Sequence, residues 1–475
     1  MDKKSKRDSK RYSKKNQSYF RESLEESLDT IQSLSFVKPD ITPLHVFQSG
    51  EYEQYYPIIS TGNHYGFTSM STYPIMNGKK IGNPICDCYQ LILYNNLMIQ
   101  VICDGCGVGV ASRFAATTAC STAINIIDKE IHDCSNIKEI AEIMIRAAAD
   151  AHENIFVQAE KEKKSGIVGA TTMLIQVVVQ LQSRELKFGI VTLNIGDCRS
   201  YLCTNQGMKT IYDFNSRESY RDISNSQGRI GNTNSDFADL ENALICFNEC
   251  SENDIIMVCS DGISDNFDPE IIQYENDKME GNEKVKFMEN LLSTYINRNV
   301  KLSECIENVC QYIVTLTKEA RDMESNRKKK ASTPKGTKSK PPGKVDHSTM
   351  GLLRIMLRNN EDPFYIDSYI PPYNHLISAN QSSTETIVSR ADGKIHREDN
   401  RKLFVVSKTV KKRSNSSKSN SDTPLSLPNE INHQQSVSEN LSPNGLLSIS
   451  PLDSFSPSGY LGQSVVPDNC DNEGK

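Results

Sequence analysis

Three stretches of this 475-residue chain share one device: an apolar run, then Asp, then Gly or another small residue. They read VICDGCGVG at 101–109, VTLNIGDCRS at 191–200 and IIMVCSDGISD ending at Asp265. A buried strand that ends in Asp delivers a carboxylate to the edge of a sheet, and the Gly after it lets backbone approach a ligand closely. Used repeatedly, the device gathers acids such as Asp104 and Asp261 around one point. Crowded carboxylates repel and raise one another's pKa, so such a cluster is stable mainly with hard cations inside it. A single Asp-Gly pair reads as a turn, whereas the ordered set reads as a divalent-metal site.

Taken in order, these residues and their neighbours resemble the metal-dependent Ser/Thr protein phosphatases of the PPM family, type 2C, over residues 61–358. Asp87 in PICDCYQL is similar to the family's early metal-binding Asp, and Asp104-Gly105 to its DG pair, whose Asp and Gly carbonyl contact metal. GATT at 169–172 resembles the GST(T/A) strand, and NIGDCRSYL resembles the N(V/I)GDSRA hairpin. SDGISDN matches the SDGxxD motif and supplies Asp261, while VDHSTMGLLRI resembles the terminal DNxT strand and supplies Asp346. The DGCGVG wording and the PPGKVDHST ending are most similar to the branch labelled type 2C-like domain-containing proteins. The resemblance implies a protein serine/threonine phosphatase acting on phosphoserine and phosphothreonine proteins. It implies two Mn²⁺ or Mg²⁺ ions held by Asp87, Asp104, the Gly105 carbonyl, Asp261 and Asp346, with a bridging hydroxide attacking phosphorus in line. Asp197 and Asp265 match positions that bind a third ion in some members.

Two positions depart from the family pattern. Many members read DGHG, with the His donating a proton to the leaving group, where this chain has Cys106. A thiol with an ordinary pKa of about 8.5 can donate a proton, whereas neighbouring cations favour its thiolate, an inhibitory ligand. Gly82 stands where many members place a phosphate-gripping Arg; Lys79 and Lys80 are close in sequence, but an ammonium lacks the planar fork of a guanidinium. These losses define a rival reading, a pseudophosphatase that binds phosphoproteins or regulates without turnover. Cys86 and Cys88 with Cys103 and Cys106 define another, a four-thiolate zinc or redox centre, set against the habit of buried Cys to pack as small hydrophobes.

The carboxylates need a strand-rich core to position them. LILY at 91–94 and LMIQVIC at 97–103 flank Asn95-Asn96 as a hairpin, and TMLIQVVVQL at 172–181 pairs with KFGIVTLNIG at 187–196 as a second. YLC at 201–203 and KTIY at 209–212 form a third; DIIMVCSDG at 254–262 and STMGLLRIML at 348–357 extend the set. Helical spacing runs over 113–131 and 137–163, with Ile137, Ile140, Met144, Ala147, Ala151 and Ile155 on one face. Strands, helices, then strands again predict an α+β fold, a four-layer α/β/β/α sandwich of two mainly antiparallel sheets flanked by helices.

The flanks read differently. Residues 1–60 open with MDKKSKRDSKRYSKK and are expected to be mostly disordered, the basic run serving equally as a solvated tail or a nuclear address. SNRKKKASTPKGTKSKPPGK at 325–344 reads as an exposed, disordered basic insertion in the domain, and 359–475 as a disordered Ser/Pro/Asn-rich tail. In that tail Thr423, Ser442, Ser450 and Ser456 each precede Pro and suit a proline-directed kinase. A net charge of −6 and a pI near 5.9 give no support to a specific nucleic-acid partner for the whole chain. Fourteen Cys without a signal peptide read as reduced thiols. With no window of membrane-span length, the expectation is a cytoplasmic protein without a membrane partner.

Overall fold

The three hairpins predicted from the apolar runs are present, and the two predicted helices follow the first of them. The computed structural model describes residues 3–40, 42–49, 58–61, 64–76, 79–162, 168–183, 185–212, 226–233, 237–274, 279, 281–327, 341–357 and 365–367. The chain begins with helix α1 (Lys3–Asp29) and strands β1 (His45–Gln48), β2 (Ile58–Thr61), β3 (Tyr65–Ser71), β4 (Cys88–Leu93) and β5 (Leu97–Cys103). Helices α2 (Val110–Glu130) and α3 (Ile137–Lys161) come next. They are followed by β6 (Met173–Gln180), β7 (Lys187–Ile195), β8 (Arg199–Thr204), β9 (Gly207–Thr210), β10 (Leu244–Ser251) and β11 (Ile255–Cys259). Helices α4 (Gly281–Ser293), α5 (Leu302–Leu316) and α6 (Lys318–Arg327) precede β12 (His347–Arg354) and β13 (Tyr365–Asp367). No helix among the described residues is long and apolar enough to cross a membrane.

One sheet has the order β1-β4-β5-β6-β7-β10 and the other β9-β8-β11-β12-β3-β2-β13, and neighbouring strands in both are antiparallel. Both faces of each sheet are covered, which is why the central strands are near-continuous apolar runs instead of alternating apolar and polar residues. Strand geometry still sorts the side chains. On β5, Ile99 and Val101 face the α2–α3 layer while Met98 and Ile102 face the other sheet. On β11, Ile256 and Val258 enter that inter-sheet core while Ile255 and Met257 pack on α5 through Leu302, Ile306, Val309 and Ile313. Three apolar layers therefore separate four structural layers, the sandwich expected from the sequence. Each fully buried Ile or Leu stabilises it by about 1.5–3 kcal/mol.

Helix α3 starts where Asn136 accepts a hydrogen bond from Glu139 N at 3.1 Å and Glu139 reaches back to Ser135 N at 2.6 Å. Its predicted face is buried at Ile137, Ile140, Met144, Ala147, Ala151 and Ile155.

The flanks need correction. Within the region expected to be mostly disordered, residues 3–29 form α1, and Phe20, Leu24, Leu28 and Ile31 are buried in the same core as α3. Their spacing is helical, so the stripe was available in the sequence beneath its charged neighbours. Strand β1 then joins the first sheet, and Phe36 bridges to Leu181. The expected basic insertion holds two structured ends: residues 325–327 close α6, and Lys344 is buried. Residues 328–340 lie outside the described set. In the expected tail, residues 365–367 form β13 against β2; Thr423, Ser442, Ser450 and Ser456 lie outside the described residues.

Candidate active site

Hairpin register places the first two acids. Cys88 pairs with Cys103 across β4 and β5, so Asp87 and Asp104 are the next residues along each strand, side by side at one end of the first sheet. The second sheet answers with Asp261, two residues beyond β11, and Asp346, immediately before β12, at the matching ends of neighbouring strands. Asp265 lies one turn after Asp261, and Asp197 sits in the β7–β8 turn, both buried.

The carboxylates feel one another. Burial, then the charges of Asp87, Asp261, Asp346 and Asp197, hold the Asp104 carboxyl well above the usual carboxylate range. Burial pushes Asp87 up to about 6; the Ser260 and Thr349 hydroxyls and Arg113 draw it down while Asp261 raises it. Those hydroxyls are engaged elsewhere, Ser260 Oγ accepting from Thr349 N at 3.0 Å and Thr349 Oγ1 meeting Ser69 Oγ at 2.6 Å. Neither Asp87 oxygen has a hydrogen-bond partner of good geometry, although the residue is 1 % exposed. A buried carboxylate with bare oxygens is costly unless a cation or proton joins it.

The GATT segment fixes the turn that carries Asp104. Thr171 Oγ1 donates to Asp104 O at 2.7 Å, Thr172 N donates to the same oxygen at 2.9 Å, and Cys106 N donates to Ala170 O at 2.9 Å. Gly262, after Asp261, packs so closely on β12 that a Cβ there would lie 1.7 Å from His347 O. Gly105 follows Asp104 as the sequence required, facing Thr171 across an isolated bridge.

The Asp261 side is built around a residue that the sequence reading had assigned to the exposed insertion. The Nζ of Lys344 donates to Asp261 Oδ2 and to Asp265 Oδ2 at 2.8 Å, and it forms an ion pair with Asp346 Oδ2 at 3.2 Å. The ammonium thus hydrogen-bonds two carboxylates and lies within ion-pair distance of a third. Burial would discharge Lys344, but Asp261, Asp265, Asp346 and Asp197 outweigh it and hold the amine well above its usual range. Burial pushes Asp346 up to about 6 against the pull of Lys344. Tyr73 also donates to Asp346 Oδ1 at 3.2 Å.

Arg113, in the first turn of α2, is a second buried cation that the motifs did not reveal, and its guanidinium donates to the Asp87 carbonyl. His347 is a third missed residue. Its Nδ1 accepts from Cys86 N at 3.3 Å, which leaves Nε2–H to donate to Gly82 O at 2.6 Å. The ring thereby pins the segment leading into Asp87. Gly82 has φ +77°, and a Cβ there would lie 2.4 Å from the Tyr73 ring, so no Arg fits the present backbone. Lys79 is exposed; Lys80 is half-buried, and burial with the nearby Arg321 charge lowers its pKa to about 7. Helix position was the available signal for Arg113, and proximity to Asp346 the signal for Lys344.

The cysteines face different surroundings. Cys88 and Cys103 adjoin Cys120 in the helix–sheet core, and Cys86 Sγ lies 3.5 Å from Gly109 O. Burial followed by Asp197 pushes the Cys106 thiol up to about 12, with Arg229 opposing, so the thiol is protonated at neutral pH. Among the described residues no group of three or more His, Cys, Asp or Glu side chains is spaced to hold a metal ion. The donor chemistry fits a hard divalent ion on the Asp87–Asp104 side, where buried oxygens are bare. It does not fit a second ion on the other side while Lys344 holds Asp261, Asp265 and Asp346.

No protein-family model matches the chain. In sequence it is 26% identical over 212 residues to the PP2C-like domain-containing protein CG9801 of Drosophila melanogaster, a match covering 42% of this chain and 29% of that protein. The chain thus spans under a third of the length of the curated relative it matches. Among solved structures, a serine/threonine phosphatase from S. agalactiae is 12% identical, with coverage of 62% of this chain and 100% of that one and a TM-score of 0.38. A phosphatase from Toxoplasma gondii is 12% identical, covering 66% and 99%, with a TM-score of 0.40. The catalytic domain of the serine threonine protein phosphatase PstP, in complex with two manganese ions, is 13% identical, covering 61% and 98%, with a TM-score of 0.34. At these scores the structural likenesses do not bear on the site.

Proposed function

We propose, from the PP2C-like (PPM) phosphatase fold that this chain carries, that it hydrolyses phosphoserine and phosphothreonine esters in proteins with the help of divalent ions. The observation that carries this reading is the meeting of Asp87 and Asp104 from one sheet with Asp261 and Asp346 from the other at one end of the sandwich. Asp87, Asp104 and the Gly105 carbonyl would hold one Mn²⁺ or Mg²⁺; Asp261 and Asp346 would hold another where Lys344 withdraws. Asp197 and Asp265 would serve a third. When bound, such ions supply Lewis acidity toward phosphoryl oxygens and acidify water. The chain's own residues set the stage: GATT fixes the Asp104 turn, His347 fixes the approach to Asp87, and Arg113 braces the Asp87 backbone. By resemblance Cys106 occupies the sequence position of the family's proton-donating His, and its protonated thiol would serve there as a weak acid.

A second reading, a phosphoprotein-binding module without turnover, is favoured by one specific observation, the Lys344 ammonium inside the cluster. Hydrolysis of p-nitrophenyl phosphate by the full chain with Mn²⁺ separates the two. Turnover abolished by Asp104→Asn supports the enzyme. No turnover with Mn²⁺ or Mg²⁺, together with retained binding of a phosphoserine peptide, supports the module. Tail phosphorylation by a proline-directed kinase and a cytoplasmic or nuclear location remain part of this proposal.

A further inference from the structure

The acidic centre contains its own counter-ion. Lys344 Nζ donates hydrogen bonds to Asp261 and Asp265 and pairs ionically with Asp346, and its backbone is clamped to the turn that bears Asp261 and Asp265. Lys344 N donates to Asn266 Oδ1 at 2.8 Å, and Asn266 Nδ2 donates to Lys344 O at 3.0 Å and to Gly262 O at 2.8 Å. Asn266 therefore ties the lysine to the segment that bears Asp261 and Asp265, and the side chain has little freedom to leave. Lys344 is 6% exposed.

Resting on the reading of this centre as a phosphatase site, we propose that Lys344 is a tethered cation that competes with divalent ions for Asp261, Asp265 and Asp346. The ammonium and an ion cannot share these oxygens. Nitrogen lies at 2.8 Å and 3.2 Å from two of them, whereas Mg²⁺ requires its oxygens at about 2.0–2.1 Å, and the two positive charges repel in a buried site. In the half formed by Asp87 and Asp104, neither Asp87 carboxylate oxygen has a hydrogen-bond partner among the described residues, and the nearby Arg113 guanidinium donates to the Asp87 backbone carbonyl. The two halves therefore differ: one is open to an ion, and the other is closed by the chain itself. Closure keeps the domain folded without metal and makes occupancy of the second half depend on displacement of residues 341–346.

The test is the binding of Mn²⁺ alone, the probe, to the metal-stripped full chain, followed by electron paramagnetic resonance of free Mn²⁺ at neutral pH. Wild type is expected to take up at most one ion per chain tightly. Lys344→Met is expected to bind one ion more than wild type, at least ten-fold tighter than any further ion on wild type, and to gain melting temperature on Mn²⁺ addition. Two tight ions on wild type overturn the proposal without reference to any variant, as does a folded Lys344→Met protein with wild-type stoichiometry and affinity. If Lys344→Met does not fold without ions, Asn266→Ala keeps the ammonium and loosens its clamp. A further ion at least three-fold tighter than on wild type then supports the proposal, and an unchanged affinity overturns it. Phosphoester turnover measured in parallel separates the two claims: its absence counts against the enzyme reading, while ion stoichiometry alone decides the role of Lys344.

Discussion

The two halves of the acidic centre solve the same electrostatic problem in opposite ways. Asp87 and Asp104 end neighbouring strands of the first sheet, the buried Asp87 oxygens have no hydrogen-bond partner, and both carboxyls are held above their usual pKa range. Asp261, Asp265 and Asp346 gather at the corresponding end of the second sheet and are partly compensated by Lys344 from their own chain. The contrast teaches that identical residue types in matching positions need not share a role: one half has an opening for a cation and the other already contains one.

That comparison breaks most visibly at Lys344. Lys344→Met should lower ion-free stability by about 3–5 kcal/mol, because buried carboxylates lose their partner, and a chemical-denaturation curve checks it. A stability equal to wild type would mean that the ammonium does not neutralise the cluster.

On the other half the sign reverses. Burial raises the Asp87 carboxyl from its ordinary pKa of 3.8 to about 6 in the folded chain. Its stabilising contribution is therefore complete below the unfolded pKa and disappears as pH rises through the folded one. Ion-free wild type should melt at a higher temperature at pH 5 than at pH 7.5, and Asp87→Asn should flatten that slope and stabilise the pH 7.5 state by about 1–3 kcal/mol. Thermal melts of both proteins in chelator at the two pH values measure this. A slope unchanged by the substitution would remove Asp87 as its source.

Asn266→Ala should cost about 1–3 kcal/mol, since the buried Lys344 N–H and carbonyl lose the amide that pairs them and the Gly262 carbonyl loses one of its two donors. The loss should be smaller than for Lys344→Met, and reversal of that order in urea titrations would place the anchor in the backbone clamp instead of the ammonium. Cys106→His should perturb stability least, because the side chain is only half-buried. It should raise Mn²⁺-dependent turnover about ten-fold or more by supplying a better general acid, read from initial rates. Unchanged rates would show that proton delivery at this position does not limit the reaction.

Much of the scaffold was legible because its signals are local. Uninterrupted apolar runs such as LMIQVIC and IQVVVQ declare strands covered on both faces, and the face through Ile140, Met144 and Ala151 declares a helix. Helix α1 was missed although Phe20, Leu24 and Leu28 stand at helical spacing, since a charge-rich composition outweighed a sparse stripe. Edge strand β10 was missed for another reason: its LICFNECS sequence is only partly buried and carries no clean period. Convergence of Asp87, Asp104, Asp261 and Asp346 was anticipated from motif order; the coordinates bring them within one another's electrostatic reach.

By itself the sequence determined which central apolar runs become strands, which of them border an acid, and hence which carboxylates could meet. Periodicity and turn chemistry act over a few residues, so they can be read without a fold. Only the tertiary structure decided that Lys344 turns inward beside Asp346, that Arg113 braces Asp87, and that Gly82 lies too close to Tyr73 for a larger side chain. Those outcomes depend on contacts between residues far apart in the chain. Whether a lysine stays in water or pairs with three buried acids is set by what the fold packs around it, not by its neighbours in sequence.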